Sequence, residues 1–206
     1  MAPVSEQWKR WRSEVDLDEY ETRWSRLAES GQDVFGEADF VSRFEPKSAL
    51  DAGCGMGRVG IELAHRGVDV VGVDLDPDLL TRAAAAAPDV CWVNADLASL
   101  DLARTFDVVV LAGNVIPFVA DSDRPLVVAR CAAHVRQGGM LIAGFSLRPD
   151  WPGADAYRRW CDAAGLDLVE AHGAWDSWKA ADGRLPGEDG DFTTGADYAV
   201  FVHRRP

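Results

Sequence analysis

The stretch Ala49-Leu-Asp-Ala-Gly-Cys-Gly-Met-Gly-Arg-Val-Gly60 constrains this chain more than any other. It reads as the end of a buried strand, a glycine turn and the first turn of a helix. Asp51, Gly53, Gly55 and Gly57 fall at alternate positions, so the turn has the form D-x-G-x-G-x-G. Glycines there let the backbone take positive φ and let a ligand come closer than a Cβ would permit. The helix that follows offers its unpaired N–H groups to that ligand.

The pattern around this turn alternates strand and helix from residue 48 onward. Strands are predicted over 49–51, 68–73, 90–93, 106–111, 140–145, 166–171 and 198–203. Helices are predicted over 58–66, 79–87 with Pro77 suiting the start, 123–135, and 154–164 closed by Gly165. The third helix is expected to stop at Gly138-Gly139. The run 106–111 is almost wholly apolar, as a parallel strand covered on both faces should be. A long polar stretch rich in Gly, Asp and Trp separates the last two strands. Such alternation specifies an α/β fold: an open, mostly parallel sheet with helices on both faces, a three-layer αβα Rossmann-like sandwich.

Before residue 48 the chain is helical. Trp8, Trp11 and Val15 share one stripe, and Leu17, Tyr20, Trp24 and Leu27 make a second. Asp16, with Glu19 three residues on, has the form of a helix N-cap and divides the segment into two helices. A short helix is predicted over 38–44. Lys9, Arg10 and Arg12, interleaved with tryptophans, are read as a solvated face rather than a nucleic-acid surface. The expected organisation is a single domain over 1–206: an N-terminal helical cap (1–45), a core (46–147), and C-terminal strands with ligand-facing loops (148–206).

Composition narrows the partners. With 34 acidic against 21 basic residues the formal net charge is −13, and such a surface repels a polyanion, which demotes nucleic acid. No apolar run approaches the ~18 residues of a membrane span. The start Met-Ala-Pro-Val-Ser-Glu-Gln-Trp lacks a basic-then-apolar export signal, so a cytoplasmic location is expected. Cys54, Cys91, Cys131 and Cys161 are widely spaced with no close histidine, so neither a metal nor a disulfide is expected. Monomer and homodimer both stay open.

In sheets of this kind ligands sit at the carboxyl ends of the strands, where strand order reverses. Asp51, Asp74 and Asp96 end the first three predicted strands, at steps of 23 and 22 residues. Asp74 is placed to accept from both hydroxyls of a ribose, and Asp96 from an exocyclic amine such as adenine's. Asp51 is placed to take an ammonium, directly or through water, or to fix the glycine loop. Gly55-Met-Gly57-Arg-Val-Gly60 also satisfies the dinucleotide fingerprint G-x-G-x-x-G, with Asp74 as its ribose acid. The earlier Asp51-Ala-Gly53, and an aspartate after the third strand, have no place in that fingerprint and weigh against a nicotinamide-dependent oxidoreductase.

Leu50-Asp-Ala-Gly-Cys-Gly-Met-Gly57, Val71-Gly-Val-Asp74 with Asp76-Pro-Asp78, and Asn94-Ala-Asp-Leu97 resemble the first three motifs of class I S-adenosylmethionine-dependent methyltransferases. The resemblance is close over residues 48 to about 147 and looser beyond. It implies a seven-stranded sheet with the last strand antiparallel, and S-adenosyl-L-methionine as cofactor with S-adenosyl-L-homocysteine as product. It further implies that Gly53, Gly55 and Gly57 line the methionine portion, that Asp74 binds ribose beside Leu75, and that Asp96 meets the adenine amine while Leu97 flanks the ring. Ala112-Gly113-Asn114 should face the methionine carboxylate and the sulfonium. A small-molecule methyl acceptor is the leading expectation. A non-catalytic protein that binds the cofactor is the second.

Asn114-Val-Ile-Pro117-Phe118 is similar to the N-P-P-[YF] motif of amino-methylating nucleic-acid enzymes, but two apolar residues separate Asn114 from Pro117. Candidates for the acceptor end are Tyr20 and Trp24 from the cap, Arg148 after the fifth strand, and His172, Trp175 and Trp178 after the sixth. His172 is the natural general base, its intrinsic pKa lying near working pH. His172 and Asn114 are the expected catalytic residues.

Overall fold

A computed structural model describes residues 4–179 and 197–206; most of the polar stretch between the last two strands lies outside them. Two helices, α1 (Glu6–Glu14) and α2 (Leu17–Glu29), lead into α3 (Gly36–Ser42). Then come β1 (Ser48–Ala52), α4 (Arg58–His65), β2 (Asp69–Asp74), α5 (Pro77–Ala86) and β3 (Cys91–Asn94). The chain continues through β4 (Phe106–Leu111), the single turn α6 (Val115–Phe118), α7 (Arg124–Ala133), β5 (Val135–Ser146) and α8 (Ala154–Ala163). It ends in β6 (Asp167–His172) and β7 (Tyr198–Arg204).

The strands form one seven-stranded sheet in the order β3-β2-β1-β4-β5-β7-β6. All neighbours run parallel except β7, which is antiparallel to both β5 and β6. Strand order therefore reverses between β1 and β4, which puts the crevice for a ligand at the ends of those two strands. The period of two along each strand sorts the core into two layers. Leu50, Val109, Leu141 and Phe201 pack with α7 and α8 on one face, while Ala49, Val108, Ile142 and Val200 pack with α3 and α4 on the other.

Asp16 caps α2 as the sequence indicates, its Oδ1 accepting from the N–H groups of Asp18 and Glu19 at 2.8 and 3.1 Å. Lys9 pairs with Glu6 and Arg10 with Glu14 on the solvated face, but Arg12 does not belong to it. Its guanidinium reaches Asp76 and Asp78 at 2.7 and 2.8 Å, tying α1 to the start of α5.

The start of the fifth strand differs from the sequence reading. The helix predicted over 123–135, with Gly138-Gly139 as its stop, ends at Ala133, and β5, predicted from 140, already begins at Val135. The glycine pair serves a slip in the β4–β5 register between Phe106 and Val108. Gly138 takes φ +74°, and a Cβ on Gly139 would stand 2.7 Å from the Asp107 carbonyl oxygen. A bulge needs such residues as much as a helix end does.

Trp92 on β3 carries much of the packing beneath the glycine turn. Its indole N–H donates to the Ala87 carbonyl at 2.9 Å, and the ring spreads across Gly57 and Gly72. A Cβ on Gly72 would meet the ring at 2.2 Å, and one on Gly57 at 2.4 Å. Gly72→Ala is therefore expected to destabilise by about 1–3 kcal/mol through overpacking. In a Trp92→Leu background the same substitution should cost little, so urea melts of the four-protein cycle would expose any other origin of the penalty.

Candidate functional site

The ends of β1, β2 and β4 open into a cavity of about 1800 Å³, roofed by α1 and α2. The glycine turn forms part of its floor. Gly53 N–H and Cys54 N–H both donate to the Val73 carbonyl, at 2.8 and 3.0 Å, which folds the turn back onto β2. Gly53, Gly55 and Gly57 all have positive φ, between 56° and 80°. Only Gly55 borders open space, since a Cβ there meets no atom within 4 Å. Gly53 is pressed against Val115, where a Cβ would come within 2.6 Å of the side chain. Gly57 is buried under Trp92 and does not line the cavity.

Asp74 ends β2 and is almost wholly buried. Its Oδ2 accepts from Gly55 N–H at 2.8 Å and its Oδ1 from Asp76 N–H at 2.9 Å. Burial raises its pKa, and those two N–H groups oppose the rise. A carboxylate offers about four acceptor sites in all, more than these backbone groups take up. Asp96 ends the loop after β3; its Oδ1 accepts from Ala98 N–H at 2.9 Å and caps the 3-10 turn Leu97–Ser99, while the residue also borders the cavity. Leu75 and Leu97 stand beside these two acids.

Asn114 follows β4 in the left-handed region, φ 68°. Its Oδ1 accepts from Ser146 N–H at 2.7 Å, coupling the ends of β4 and β5. Arg124 holds the adjoining turn α6 from below, donating to the carbonyls of Ile116 and Pro117. Gly113 and Asn114 both line the cavity.

The far wall is aromatic. Ring centroids run from Trp24 to Tyr20 (6.3 Å), Trp11 (5.9 Å), Phe118 (5.9 Å) and Trp151 (6.1 Å). The Arg58 guanidinium covers Trp24 at 4.2 Å and the Arg148 guanidinium covers Trp151 at 4.6 Å. Tyr20, Trp24, Arg148 and Trp175 line this one cavity. Trp11, Phe118 and Trp151 join them, as do Arg58, Glu37 and Tyr198, which sequence reasoning did not single out as site residues. The Trp151 signal lay in Arg148-Pro-Asp-Trp-Pro-Gly153 directly after β5.

His172 lies apart from the cavity. It sits at the end of β6, buried against α3, with its ring edge-on to Phe40 at 5.2 Å. Its Nε2 lies 2.8 Å from Glu170 Oε2, and Glu170 also binds Arg43. Because β7 is inserted between β5 and β6, the end of β6 lies two strands away from β5, and His172 does not reach the cavity. Trp178 stays with the same cluster, 4.9 Å from the Arg43 guanidinium, and is likewise outside. His65 is exposed on α4, His134 is bonded to Leu102 N–H at 3.0 Å, and His203 is buried in the core. None of the four histidines lines the cavity.

Asp51 is the most costly residue of the floor. It is 2% exposed, its Oδ2 accepts from Gly60 N–H at 2.9 Å, and burial pushes its pKa up to about 7 from an ordinary 3.8. Between those two values the folded chain keeps a proton that the unfolded chain has released, so this group's contribution to stability falls as pH rises, and the full cost is present above pH 7. Asp51→Asn keeps an oxygen for Gly60 N–H and carries no charge. It should raise the melting temperature at pH 8, by an amount equivalent to at most about 4 kcal/mol, with the gain vanishing toward pH 4. A gain independent of pH in thermal scans would show that burial of the charge is not the cause.

Residues 49–139 match a family model described as a methyltransferase domain. Over nearly its whole length the fold is that of a TehB-like SAM-dependent methyltransferase from Corynebacterium glutamicum, with a TM-score of 0.79, 32% identity, and coverage of 92% of this chain and 97% of that one. Among curated relatives, the dTDP-3-amino-3,4,6-trideoxy-alpha-D-glucopyranose N,N-dimethyltransferase of Streptomyces venezuelae is 27% identical over 63% of this chain and 60% of its own length. The glycine/sarcosine N-methyltransferase of Parasynechococcus marenigrum is 30% identical over 61% of this chain and 49% of its own. The chain thus spans between half and three-fifths of these two curated relatives. A chain with this sheet order, this glycine turn, and a solved relative matched from end to end belongs to the class I S-adenosylmethionine-dependent methyltransferases.

Proposed function

We propose that this chain transfers a methyl group from S-adenosylmethionine to a small-molecule acceptor by in-line displacement. The observation that carries the reading is a single cavity in which Asp51, Asp74 and Asp96, from the ends of three adjacent strands, adjoin a wall of aromatic rings. The names of the two curated relatives, N-methyltransferases for a dTDP-amino sugar and for glycine or sarcosine, support an acceptor of small size.

The residues fit such a cofactor. Gly55 leaves open space where backbone must approach a ligand closely. Asp74 has acceptor capacity for two ribose hydroxyls, and Asp96 for the adenine amine, with Leu75 and Leu97 against the ring. Asp51 faces the ammonium, and Gly113 with Asn114 borders the methionine portion. S-adenosylmethionine supplies an electrophilic methyl group on a sulfonium. The chain's own contribution is to hold the acceptor in line and exclude water, which effective-molarity data value at up to about 7–11 kcal/mol for ideal alignment. Trp11, Tyr20, Phe118 and Trp151 supply the apolar surface for that. With every histidine outside the cavity, the acceptor enters as the free nucleophile or passes its proton to a group other than histidine.

A protein that binds the cofactor without turnover is the alternative, and methyl transfer to any acceptor removes it. The closing test is calorimetric. S-adenosylhomocysteine should bind and stabilise the chain while NAD does neither; the opposite pattern would overturn the assignment. Asp74→Ala should weaken that binding by roughly tenfold to a hundredfold, from loss of charged hydrogen bonds. The loop that Asp74 holds through Gly55 and Asp76 adds to the loss.

A further inference from the structure

Several polar side chains that line the cavity lie close together, and their donors are oriented. Asp51 lies in the floor, Glu37 and Arg58 come from α3 and α4, Asn114 from the end of β4, and Tyr198 from the start of β7. The indole N–H of Trp175 donates to Tyr198 Oη at 2.9 Å. An indole nitrogen only donates, so the phenol oxygen is the acceptor in this bond, and its own proton must point elsewhere. Trp175 lies flush on Gly144, where a Cβ would stand 2.3 Å from it, and edge-on to Phe40 at 5.4 Å. The backbone of Tyr198 pairs with Ser146 across the β5–β7 ladder, and its phenol oxygen also lies over Gly144, where a Cβ would stand 2.8 Å from it. Burial pushes the phenol up to about 12, so it keeps its proton at working pH and can serve only as a donor or neutral acceptor.

Asn114 is oriented through the same strand. Its Oδ1 is taken by the N–H of Ser146, the residue paired with Tyr198, so the remainder of its amide is the NH₂ donor. Arg58 adds positive charge but few donors, since its guanidinium is spent on the Val34 carbonyl and on both oxygens of Glu37. The cluster therefore pairs two oriented neutral donors with the buried acid Asp51. That arrangement suits a zwitterion, its carboxylate on the donors and its ammonium on the acid. The only such group in the cofactor of the reading above is its amino-acid end.

We propose that Tyr198, steered by Trp175, donates a hydrogen bond to the carboxylate of the cofactor's methionine portion, while Asp51 faces its ammonium. The inference rests on the cofactor assignment and can fail without it. The experiment compares two probes by calorimetry: S-adenosylhomocysteine, and 5′-methylthioadenosine, which keeps the nucleoside and thioether but has no amino-acid end. Tyr198→Phe, close to isosteric, should weaken S-adenosylhomocysteine by about tenfold or more and leave 5′-methylthioadenosine within about twofold. Trp175→Phe, which keeps a ring on Gly144 but removes the N–H, should act in the same selective direction by a smaller factor. Unchanged affinity of Tyr198→Phe for S-adenosylhomocysteine overturns the inference, and so does an equal loss for both probes, which would mark a structural role. Failure of the unmodified chain to bind either probe would instead overturn the cofactor assignment.

Discussion

The carboxylate of Asp74 is the tie on which the rest of the site depends. One oxygen holds the glycine turn through Gly55, and the other holds the start of α5 through Asp76. Asp76 in turn caps α5 through Asp78 N–H at 2.8 Å and receives Arg12 from the roof. A single side chain at the tip of β2 thus sets the floor, one wall and the anchor of the lid. Its neighbour on β1, Asp51, does the same for the other half of the floor by accepting from Gly60 in the first turn of α4. Burial raises the pKa of both acids; the charge of Asp74 adds to the rise at Asp51, and that of Asp76 to the rise at Asp74.

Such an arrangement is costly for an empty fold and favourable for one that meets a cation. Each N–H bond to these carboxylates offsets part of the desolvation, but among the described residues neither acid has a basic side chain bonded to it. A ligand that brings positive charge and hydroxyls completes what the protein leaves unfinished. The strongly acidic chain around the cavity acts in the same sense at long range, favouring cations over polyanions.

Much of this was legible because it is local. A strand, a glycine turn and a helix occupy adjacent residues, and an aspartate at each strand end repeats at the length of one helix-plus-strand unit, so Asp51, Asp74 and Asp96 could be placed in one crevice from spacing alone. What could not be read depends on contacts between distant residues. Gly57 is dictated by Trp92, 35 positions away, rather than by open space for a ligand. His172 reads as a base only if the loop after the sixth strand hangs over the site; the insertion of β7 beside β5 carries that strand end away and brings Tyr198 to the cavity. The glycine pair 138–139 carries a turn signal that is the same for a helix stop and a bulge, and only the register against β4 distinguishes them.

The roof is held differently from the floor. α1 buries none of its own residues, and it is attached by the Ser5 hydroxyl on the Phe118 carbonyl, by the Trp11 ring beside Phe118, and by the Arg12 pairs with Asp76 and Asp78. α2 is tied by Arg82 to Asp18 and Glu21 and by the stacking of Trp24 on Arg58. Of these pairs only Arg12–Asp76 is shielded, its carboxylate being buried. Those to Asp78, Asp18 and Glu21 have exposed acids, where water and salt screen the charges and little stability results, whereas the sheet below is held by two continuous apolar layers. Segments with few buried apolar contacts open at far lower cost than core strands do. The half-buried rings of Trp11, Tyr20 and Trp24 therefore face the cavity and at the same time belong to the most weakly anchored part of the fold. Under the function proposed above, apolar area that an acceptor covers on those rings would stabilise the roof as well as the acceptor, because the same side chains serve both contacts.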